Sequence, residues 1–259
     1  MNARPLLLLL FVALFAAAIM RADEPDAKTL VRRVADAQLT SGFTIRAKLM
    51  VAEAGSETRK TFQLRIKGRR DDSGIRLLYQ ILWPTAEKGA ALYLERLEKG
   101  NLTGFSFTPP DKVQSIGAEQ LSSAYLDSDL TIEDLIDDFW RWPDVKSGAE
   151  EGVNRENCRI VNLRPSTETK SRYSLIRAWI SEEKAVPMRI VKFDRKGEAV
   201  KEFSVEKVTQ RDKLWFPVST VIRKPGGTQQ TWFEISRGER DVEVPLSDFS
   251  VEEIRKGQL

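Results

Sequence analysis

The sequence predicts a mainly β protein, with one antiparallel sheet that forms a bent, incompletely closed barrel. Three observations support this fold class. About twelve short segments alternate apolar and polar residues with a period of two, which is typical of half-buried strands. Two segments have helical periodicity instead, and these are expected to cover the open side of the sheet. No linker and no fixed repeat divides the chain, so one domain is expected.

The N-terminal helix is predicted over residues 25–39, where Pro25 suits a first helical position and apolar residues recur on one side. The period then changes to two, and Gly, Pro or Asp bounds each run. Strands are predicted at residues 43–51, 62–67, 75–82, 89–96, 102–107, 112–116, 158–164, 172–180, 188–193, 198–208, 215–223 and 229–236, with a turn at residues 99–101.

The second helix is predicted over residues 132–140, in the only long interruption of the strand pattern. Thr131 with Asp134 resembles a capping box, and Pro143 ends the segment. Apart from Trp140 and an apolar stripe, the positions of this segment are acidic, so the helix should have an acidic outer face on which Glu133 lies. The predicted apolar stripe, at i, i+3, i+4 and i+7, consists of Ile132, Leu135, Ile136 and Phe139.

The composition excludes several kinds of active site. The 259 residues include no histidine, so a Ser-His-Asp triad, a histidine base and a histidine-ligated metal are excluded. The single Cys158 cannot form an internal disulfide or a cysteine-rich metal site, and its strand context indicates a small buried residue. Carboxylate chemistry remains as a hydrolase alternative, but no pair of acids stands out. We therefore expect no catalysis and no cofactor.

Acidic residues near the second helix superficially fit a calcium-binding loop, with Asp127, Asp129 and Glu133 at alternate places and Asp138 twelfth. However, Ile132 occupies the sixth place, where the sharp turn of such a loop requires glycine. Negative charge at the start of a helix is favoured by the helix dipole, which accounts for the acids without a metal. We expect no metal site.

Residues 1–22 have the features of a secretory signal peptide, because Arg4 precedes an apolar run at residues 6–19 that ends in small residues. This run is shorter than the roughly 20 residues needed to cross a bilayer, so an uncleaved anchor is the less favoured alternative. Cleavage after Ala18 or Ala22 is compatible with the pattern. Removal of residues 1–22 lowers the net charge from +3 to +1, and a near-neutral chain gives no reason to expect nucleic-acid binding.

Apolar residues on the strands and on the second helix are the candidate binding residues. Large apolar side chains on the inner face of a sheet are ordinarily packing. A barrel of more than about eight strands, however, encloses more space than its side chains fill, so an apolar cavity for acyl chains is the functional alternative. The candidates are Phe43, Ile45, Leu49, Phe62, Leu64, Trp83, Phe105, Phe107, Ile132, Leu135, Ile136 and Phe139.

Several motifs along the chain resemble those of one known family. Residues 81–92 (ILWPTAEKGAAL) resemble a P..EKG.A.L hairpin, and residues 128–135 (SDLTIEDL) resemble an SDF(T/S).(D/E)DL motif, with Leu130 in place of Phe. Phe107-x-Pro109, the paired strands of residues 188–203 and Phe249-Ser250 follow the same pattern. Together these motifs resemble the outer-membrane lipoprotein-sorting family, which has a LolA-like domain. The resemblance spans roughly residues 26–254.

The resemblance implies a LolA/LolB-like, unclosed β-barrel covered by helices, formed by residues 23–259 after the signal peptide. It implies a periplasmic carrier whose apolar cavity receives the acyl chains of lipidated proteins or other lipids. The expected partners are this cargo, an inner-membrane exporter as donor and an outer-membrane acceptor, with only transient membrane contact. The alternative is an envelope sensor or interaction domain that uses the same barrel to recognise a protein partner.

Overall fold

The computed structural model describes residues 26–38, 41–97, 102–136 and 138–256. The predicted signal peptide and the predicted turn at residues 99–101 lie outside the described residues. The described residues form one 13-stranded antiparallel sheet with three α-helices. The mainly β, antiparallel fold class is therefore confirmed.

The strands alternate with short turns, and three helices lie at the start, middle and end of the described chain. The helices are α1 (Ala27–Gln38), α2 (Ile132–Leu135) and α3 (Val251–Lys256). The strands are β1 (Gly42–Glu53), β2 (Lys60–Asp71), β3 (Gly74–Trp83), β4 (Ala91–Leu97), β5 (Leu102–Thr108), β6 (Lys112–Ile116), β7 (Asp144–Val153), β8 (Glu156–Arg164), β9 (Tyr173–Ser181), β10 (Val186–Asp194), β11 (Ala199–Arg211), β12 (Leu214–Arg223) and β13 (Gln229–Arg240).

The sheet consists of two meanders joined in its middle. Its strand order is β6-β5-β4-β3-β2-β1-β13-β12-β11-β10-β9-β8-β7, and the first strand pairs with the last, for example Leu49 with Phe233. Strands β6 and β7 are the two edges and do not pair with each other, so the barrel is not closed. The segment of residues 117–143, which we call the connection, runs from one edge to the other.

Three elements, β7, α2 and α3, differ from the sequence prediction. Strand β7 was not predicted, because this edge strand is mostly exposed and lacks the alternation that burial of one face imposes. The prediction of a helix over residues 132–140 was wrong in length. Helix α2 has a single turn that ends at Ile136, whose φ of −129° is not helical, and a separate 3₁₀ turn follows at Phe139–Arg141.

The inner face of the sheet is the face against which α1 and the connection pack. It continues across the strands by direct pairing, as in Ile222 with Phe203, Phe203 with Ile190, and Ile190 with Ala178. Helix α1 packs on the β8 and β9 end of this face, with Leu30, Val31 and Val34 buried there as predicted. The connection packs on the β1 to β4 end.

The outer face is also covered in part, which the sequence analysis did not foresee. Val244, Phe249 and Ile254 of the C-terminal segment, which includes α3, pack on the outer face of β3 to β5. The two predicted helices are therefore not the only covering elements. This segment buries apolar residues, such as Leu78, whose side chains point to the outer face. They would be exposed if the outer face of the sheet were open to solvent.

Candidate functional site

The candidate site is the inner face of β1 to β4 with the connection above it. Leu49, Phe62 and Leu64 are fully buried there, because alternate residues of paired strands point to the same face. The structure brings together eight of the predicted residues in one apolar cluster. They are Phe43, Ile45, Leu49, Phe62, Leu64, Ile132, Leu135 and Ile136.

Four predicted residues lie elsewhere. Phe105 and Phe107 belong to the outer-face cluster, because they pair with Tyr93 and Ala91, whereas the inner face of β4 carries alternate residues. Trp83, at the end of β3, is 46% exposed. Phe139 packs in the inner-face cluster around α1 and contacts Trp140 with ring centroids 4.5 Å apart. These four positions cannot all line one cavity with the other eight.

The connection occupies the space above the β1 to β4 end of the inner face. Ile132 and Ile136 are both buried against it, and the Tyr79 hydroxyl donates a hydrogen bond of 2.6 Å to the Leu135 carbonyl oxygen. Burial raises the pKa of Tyr79, so this donor stays protonated.

Two clefts of about 290 and 380 Å³ lie on the outer face, beside α3 and beside β10 to β13 respectively.

A buried ionic cluster fixes α2 to the C-terminal half of the sheet. The Asp134 side chain is completely buried, and its Oδ1 accepts hydrogen bonds of 2.8 Å from Lys192 Nζ and from the Tyr173 hydroxyl. Its Oδ2 accepts from Lys201 Nζ and, at 2.7 Å, from the Thr131 hydroxyl. Every oxygen of this carboxylate is thus engaged, as burial of a charge requires.

The electrostatics of this cluster favour the charged carboxylate. Burial alone would raise the pKa of Asp134, but the ammonium groups of Lys192 and Lys201 outweigh it and hold the pKa well below its usual range. Burial lowers the pKa of Lys201, and Asp134 opposes this change. Lys192 Nζ also lies within 5.2 Å of the ring centroids of Phe139, Tyr173 and Phe203, a cation–π arrangement.

The predicted acidic outer face of the second helix was wrong. Glu133 is buried, and its Oε1 accepts hydrogen bonds from the Ser171 hydroxyl at 2.8 Å and from the Arg172 backbone amide at 3.2 Å. Glu133 and Asp134 point inward because the facing strands and the loop before β9 supply donors for both. Glu133 is therefore a buried hydrogen-bond acceptor and not part of an exposed acidic face.

The acids that resembled a calcium loop have separate partners. Asp127 pairs with Lys60 at 2.9 Å, Asp138 lies 3.4 Å from Arg70, and Asp129 Oδ2 accepts from the Thr231 hydroxyl at 2.9 Å. Burial raises the pKa of Asp129, and the Thr231 hydrogen bond opposes that rise. Within the described ranges, no group of three or more acidic or cysteine side chains could hold a metal ion.

Three residues of the ionic cluster were not among the candidates predicted from the sequence: Lys192, Lys201 and Tyr173. The strand alternation did contain a signal for the lysines. Lys192 lies two residues from Ile190, and Lys201 two residues from Phe203, so each lysine points to the same apolar face as that neighbour. A lysine on the apolar period of a strand predicts a buried acid opposite it. The sequence gives no indication of which acid, because Asp134 lies 58 and 67 residues from these lysines.

The single thiol is not poised for chemistry. Cys158 is fully buried, and burial together with the nearby Glu156 carboxylate raises its pKa to about 11. A nucleophilic cysteine needs a lowered pKa instead.

Among the helices of the described residues, none has the length and apolar character of a membrane-spanning helix.

Comparison with solved structures identifies the fold. A DUF1329 family protein from Desulfovibrio piger aligns with a TM-score of 0.80 and 17% identity, over 88% of this chain and 97% of that one. A putative outer membrane lipoprotein-sorting protein domain from Vibrio parahaemolyticus aligns with a TM-score of 0.76 and 16% identity, over 89% and 100%. A LolA superfamily protein from Nitrosomonas europaea aligns with a TM-score of 0.69 and 12% identity, over 88% and 98%.

Sequence comparison gives the family. No curated protein sequence matches the chain significantly. A model for a family of uncharacterized proteins matches residues 76–256, which include most of the sheet, α2 and the C-terminal covering segment. The chain therefore belongs to this family of uncharacterized proteins, and its fold is that of the LolA-like, outer-membrane lipoprotein-sorting proteins.

Proposed function

We propose that this protein is a non-catalytic carrier that binds the acyl chains of lipids or lipidated proteins on the inner face of its sheet. The fold it shares with a lipoprotein-sorting domain supports this function. The observation that carries the proposal is the apolar inner face of β1 to β4, whose cover is a connection with only one turn of α-helix.

The connection and an acyl chain offer the same kind of contact to this face. Ile132, Leu135 and Ile136 contribute aliphatic side chains that an acyl chain can replace. Each CH₂ group removed from water contributes about 0.8 kcal/mol, so a chain of about twelve carbons contributes on the order of 10 kcal/mol. Binding of this size can displace a short covering segment without any specific polar contact to the ligand.

The anchors of the connection also suit a hinged cover. Asp134 holds it to β10 and β11, and Asp129 holds it to Thr231 of β13. Towards β1 to β4, the connection makes apolar contacts, the Tyr79 hydrogen bond to Leu135 and two ion pairs with β2, Asp127 with Lys60 and Asp138 with Arg70. Displacement of the connection from the N-terminal half therefore breaks that hydrogen bond and these two ion pairs, while the anchors at Asp134 and Asp129 stay in place.

The cellular part of the proposal follows from the predicted signal peptide and the fold. We infer a periplasmic protein that receives lipidated protein or lipid from an inner-membrane exporter and releases it to an outer-membrane acceptor. A fusion of residues 1–22 to a reporter that is active only after export tests the compartment. Retention of that reporter in the cytoplasm would contradict it.

Titration with a fluorescent fatty acid tests acyl binding directly. Tyr79→Phe removes the hydrogen bond to the Leu135 carbonyl oxygen, so it should favour the displaced connection and tighten probe binding about three- to tenfold. Leu246→Ala, at a 53% exposed position away from the inner face, is the control and should leave the affinity unchanged.

A second pair of variants distinguishes the two faces of the sheet. Phe43→Ala on the inner face should change probe affinity, whereas Phe105→Ala on the outer face should not. Mass spectrometry of the purified protein should also detect a co-purifying lipid. If the folded protein binds no acyl probe and carries no lipid, the carrier function is wrong and the interaction-domain alternative replaces it.

A further inference from the structure

The outer face of the sheet carries a row of three arginines on three adjacent strands. Arg46 of β1 lies directly opposite Arg65 of β2 on one side and Arg237 of β13 on the other. The Cβ atoms of residues that are directly opposite in an antiparallel pair are about 5 Å apart, and like charges at such positions are destabilising. The row therefore lowers the stability of the sheet at its centre, where β1 joins the two meanders.

The positive charge of this row is not neutralised within the described residues. Arg237 pairs with Glu239 at 2.8 Å, but neither Arg46 nor Arg65 has an acidic partner among the described residues. Burial and the neighbouring Arg46 lower the pKa of Arg65, which is the effect of a crowded cation. Arg46 is exposed, so its guanidinium is free to contact a ligand.

An open cleft lies next to the row on the outer face. A cleft of about 290 Å³ beside Arg65 is lined by two further cations, each paired with an acid: Lys67 with Asp248 and Lys256 with Glu253. Arg65 is thus the uncompensated charge of that cleft.

The next row of the outer face is neutral overall and ends at an exposed tryptophan. It contains Glu234, Lys48 and Gln63, and Trp83 lies opposite Gln63 at its end. Glu234 balances Lys48 in charge, so the positive excess of the two rows comes from Arg46 and Arg65. Trp83 is 46% exposed.

We propose that this surface, formed by Arg46, Arg65, Arg237 and Trp83, docks the protein onto a membrane rich in anionic phospholipid. Arginine binds phosphate oxygens in a bidentate manner, so flexible arginine side chains on adjacent strands can each bind the phosphate of an anionic headgroup. Exposed tryptophan is favoured at the headgroup level of a bilayer. An exposed strip across three strands suits an extended surface better than a single small anion.

This proposal goes beyond acyl binding, because it concerns the face of the sheet opposite the candidate cavity. A protein docked in this way keeps α1 and the connection on the side away from the bilayer. The docking surface and the acyl-binding face can therefore be tested separately.

Vesicle co-sedimentation tests the docking surface on protein purified after export. One vesicle sample contains phosphatidylcholine alone and the other contains equal amounts of phosphatidylcholine and phosphatidylglycerol. The unchanged protein should bind the second sample much more tightly, and added salt should weaken this binding. Arg46→Gln with Arg65→Gln should weaken it about 30-fold, since each basic residue near an anionic surface contributes about 1 kcal/mol.

Two further variants make the test specific. Lys28→Gln with Arg32→Gln removes the same charge from exposed positions of α1, on the other side of the sheet, and should change vesicle affinity less than about threefold. Trp83→Ala keeps the charge and should also weaken binding.

Three outcomes would overturn the proposal. They are equal binding to both vesicle samples, equal losses in the two double variants, and displacement by inorganic phosphate beyond that caused by chloride of the same ionic strength. The last outcome would assign the row to a soluble anion. The fatty-acid titration of the Arg46→Gln, Arg65→Gln protein should be unchanged. Failure of the docking surface is thereby distinguished from failure of the acyl-binding function.

Discussion

Asp134 and Lys192 form a buried ion pair of 2.8 Å that joins the one-turn helix α2 to strand β10 in the other half of the sheet. Their side chains are 0% and 2% exposed. Lys201 and Tyr173 share the same carboxylate, so this one buried side chain joins the connection to β9, β10 and β11. Asp134 is thus a buried anchor of the covering segment, alongside Asp129, which accepts a hydrogen bond from Thr231 of β13.

Asp134→Asn should lower the free energy of unfolding by about 3–5 kcal/mol, because it removes the charged carboxylate that two buried ammonium groups share. Urea unfolding followed by tryptophan fluorescence measures this change. The triple variant Asp134→Leu, Lys192→Met, Lys201→Met, which removes all three charges, should recover most of the loss. A loss below about 1 kcal/mol for Asp134→Asn would show that the cluster does not anchor the connection.

Asp134 and Asp129 should affect the pH dependence of stability in opposite directions. The folded-state pKa of Asp134 is lowered, so its contribution is complete above the unfolded value of about 3.9 and is lost as the pH falls below it. The folded-state pKa of Asp129 is raised by burial, so its contribution is present at low pH and is lost as the pH rises through the folded pKa.

Thermal midpoints measured from about pH 3 to pH 7 test this difference. The gap between unchanged protein and Asp134→Asn should shrink as the pH falls below about 4. Asp129→Asn keeps an oxygen that can accept the Thr231 hydrogen bond, so it should gain stability relative to unchanged protein as the pH rises. Parallel pH profiles for the two variants would contradict the assignment.

Gly68→Ala should destabilise the protein by about 1–3 kcal/mol, because a Cβ atom at this position would lie 2.2 Å from the ring of Phe43. Gly152→Ala is a matched control in a strand, with no atom within 4 Å of the added Cβ, and should change stability by less than about 0.5 kcal/mol. Phe43→Leu should partly rescue Gly68→Ala in chemical denaturation. Additive effects of the two substitutions would show that the ring and the glycine do not interact.

Cys158 should react with a thiol reagent at pH 8 at least about 100-fold more slowly in the folded protein than in guanidinium chloride. Burial raises its pKa to about 11, so the reactive thiolate is scarce as well as inaccessible. The rate is measured from the absorbance of the aromatic thiol that is released when an aromatic disulfide reagent labels Cys158. Rapid labelling of the folded protein would contradict the burial of this residue.

The strand pattern predicted most of the sheet because burial of one face imposes alternation. Phe43, Leu49, Phe62 and Leu64 lie on the inner face as their period requires. Strand β7 carries almost no such signal, since an exposed edge strand has no buried face to record. Helix α3 was also missed, as a six-residue helix has too few turns to show a period.

The candidate site could be predicted only in part. Ile132, Leu135 and Ile136 contact the inner face as expected, whereas Phe105 and Phe107 lie on the outer face because of how β5 pairs with β4. Alternation shows which residues share a face within one strand. It does not show which faces of distant strands coincide.

The sequence by itself determined the composition of the site, which is aliphatic and aromatic and has no histidine, and it determined the antiparallel, open fold class. Only the tertiary structure decided that Glu133 and Asp134 point inward, that α2 has one turn and that Arg46 lies between two other arginines. The reason is that these features depend on charges brought together from distant strands. Local periodicity records whether a position is buried, but the pairing of strands decides what it is buried against.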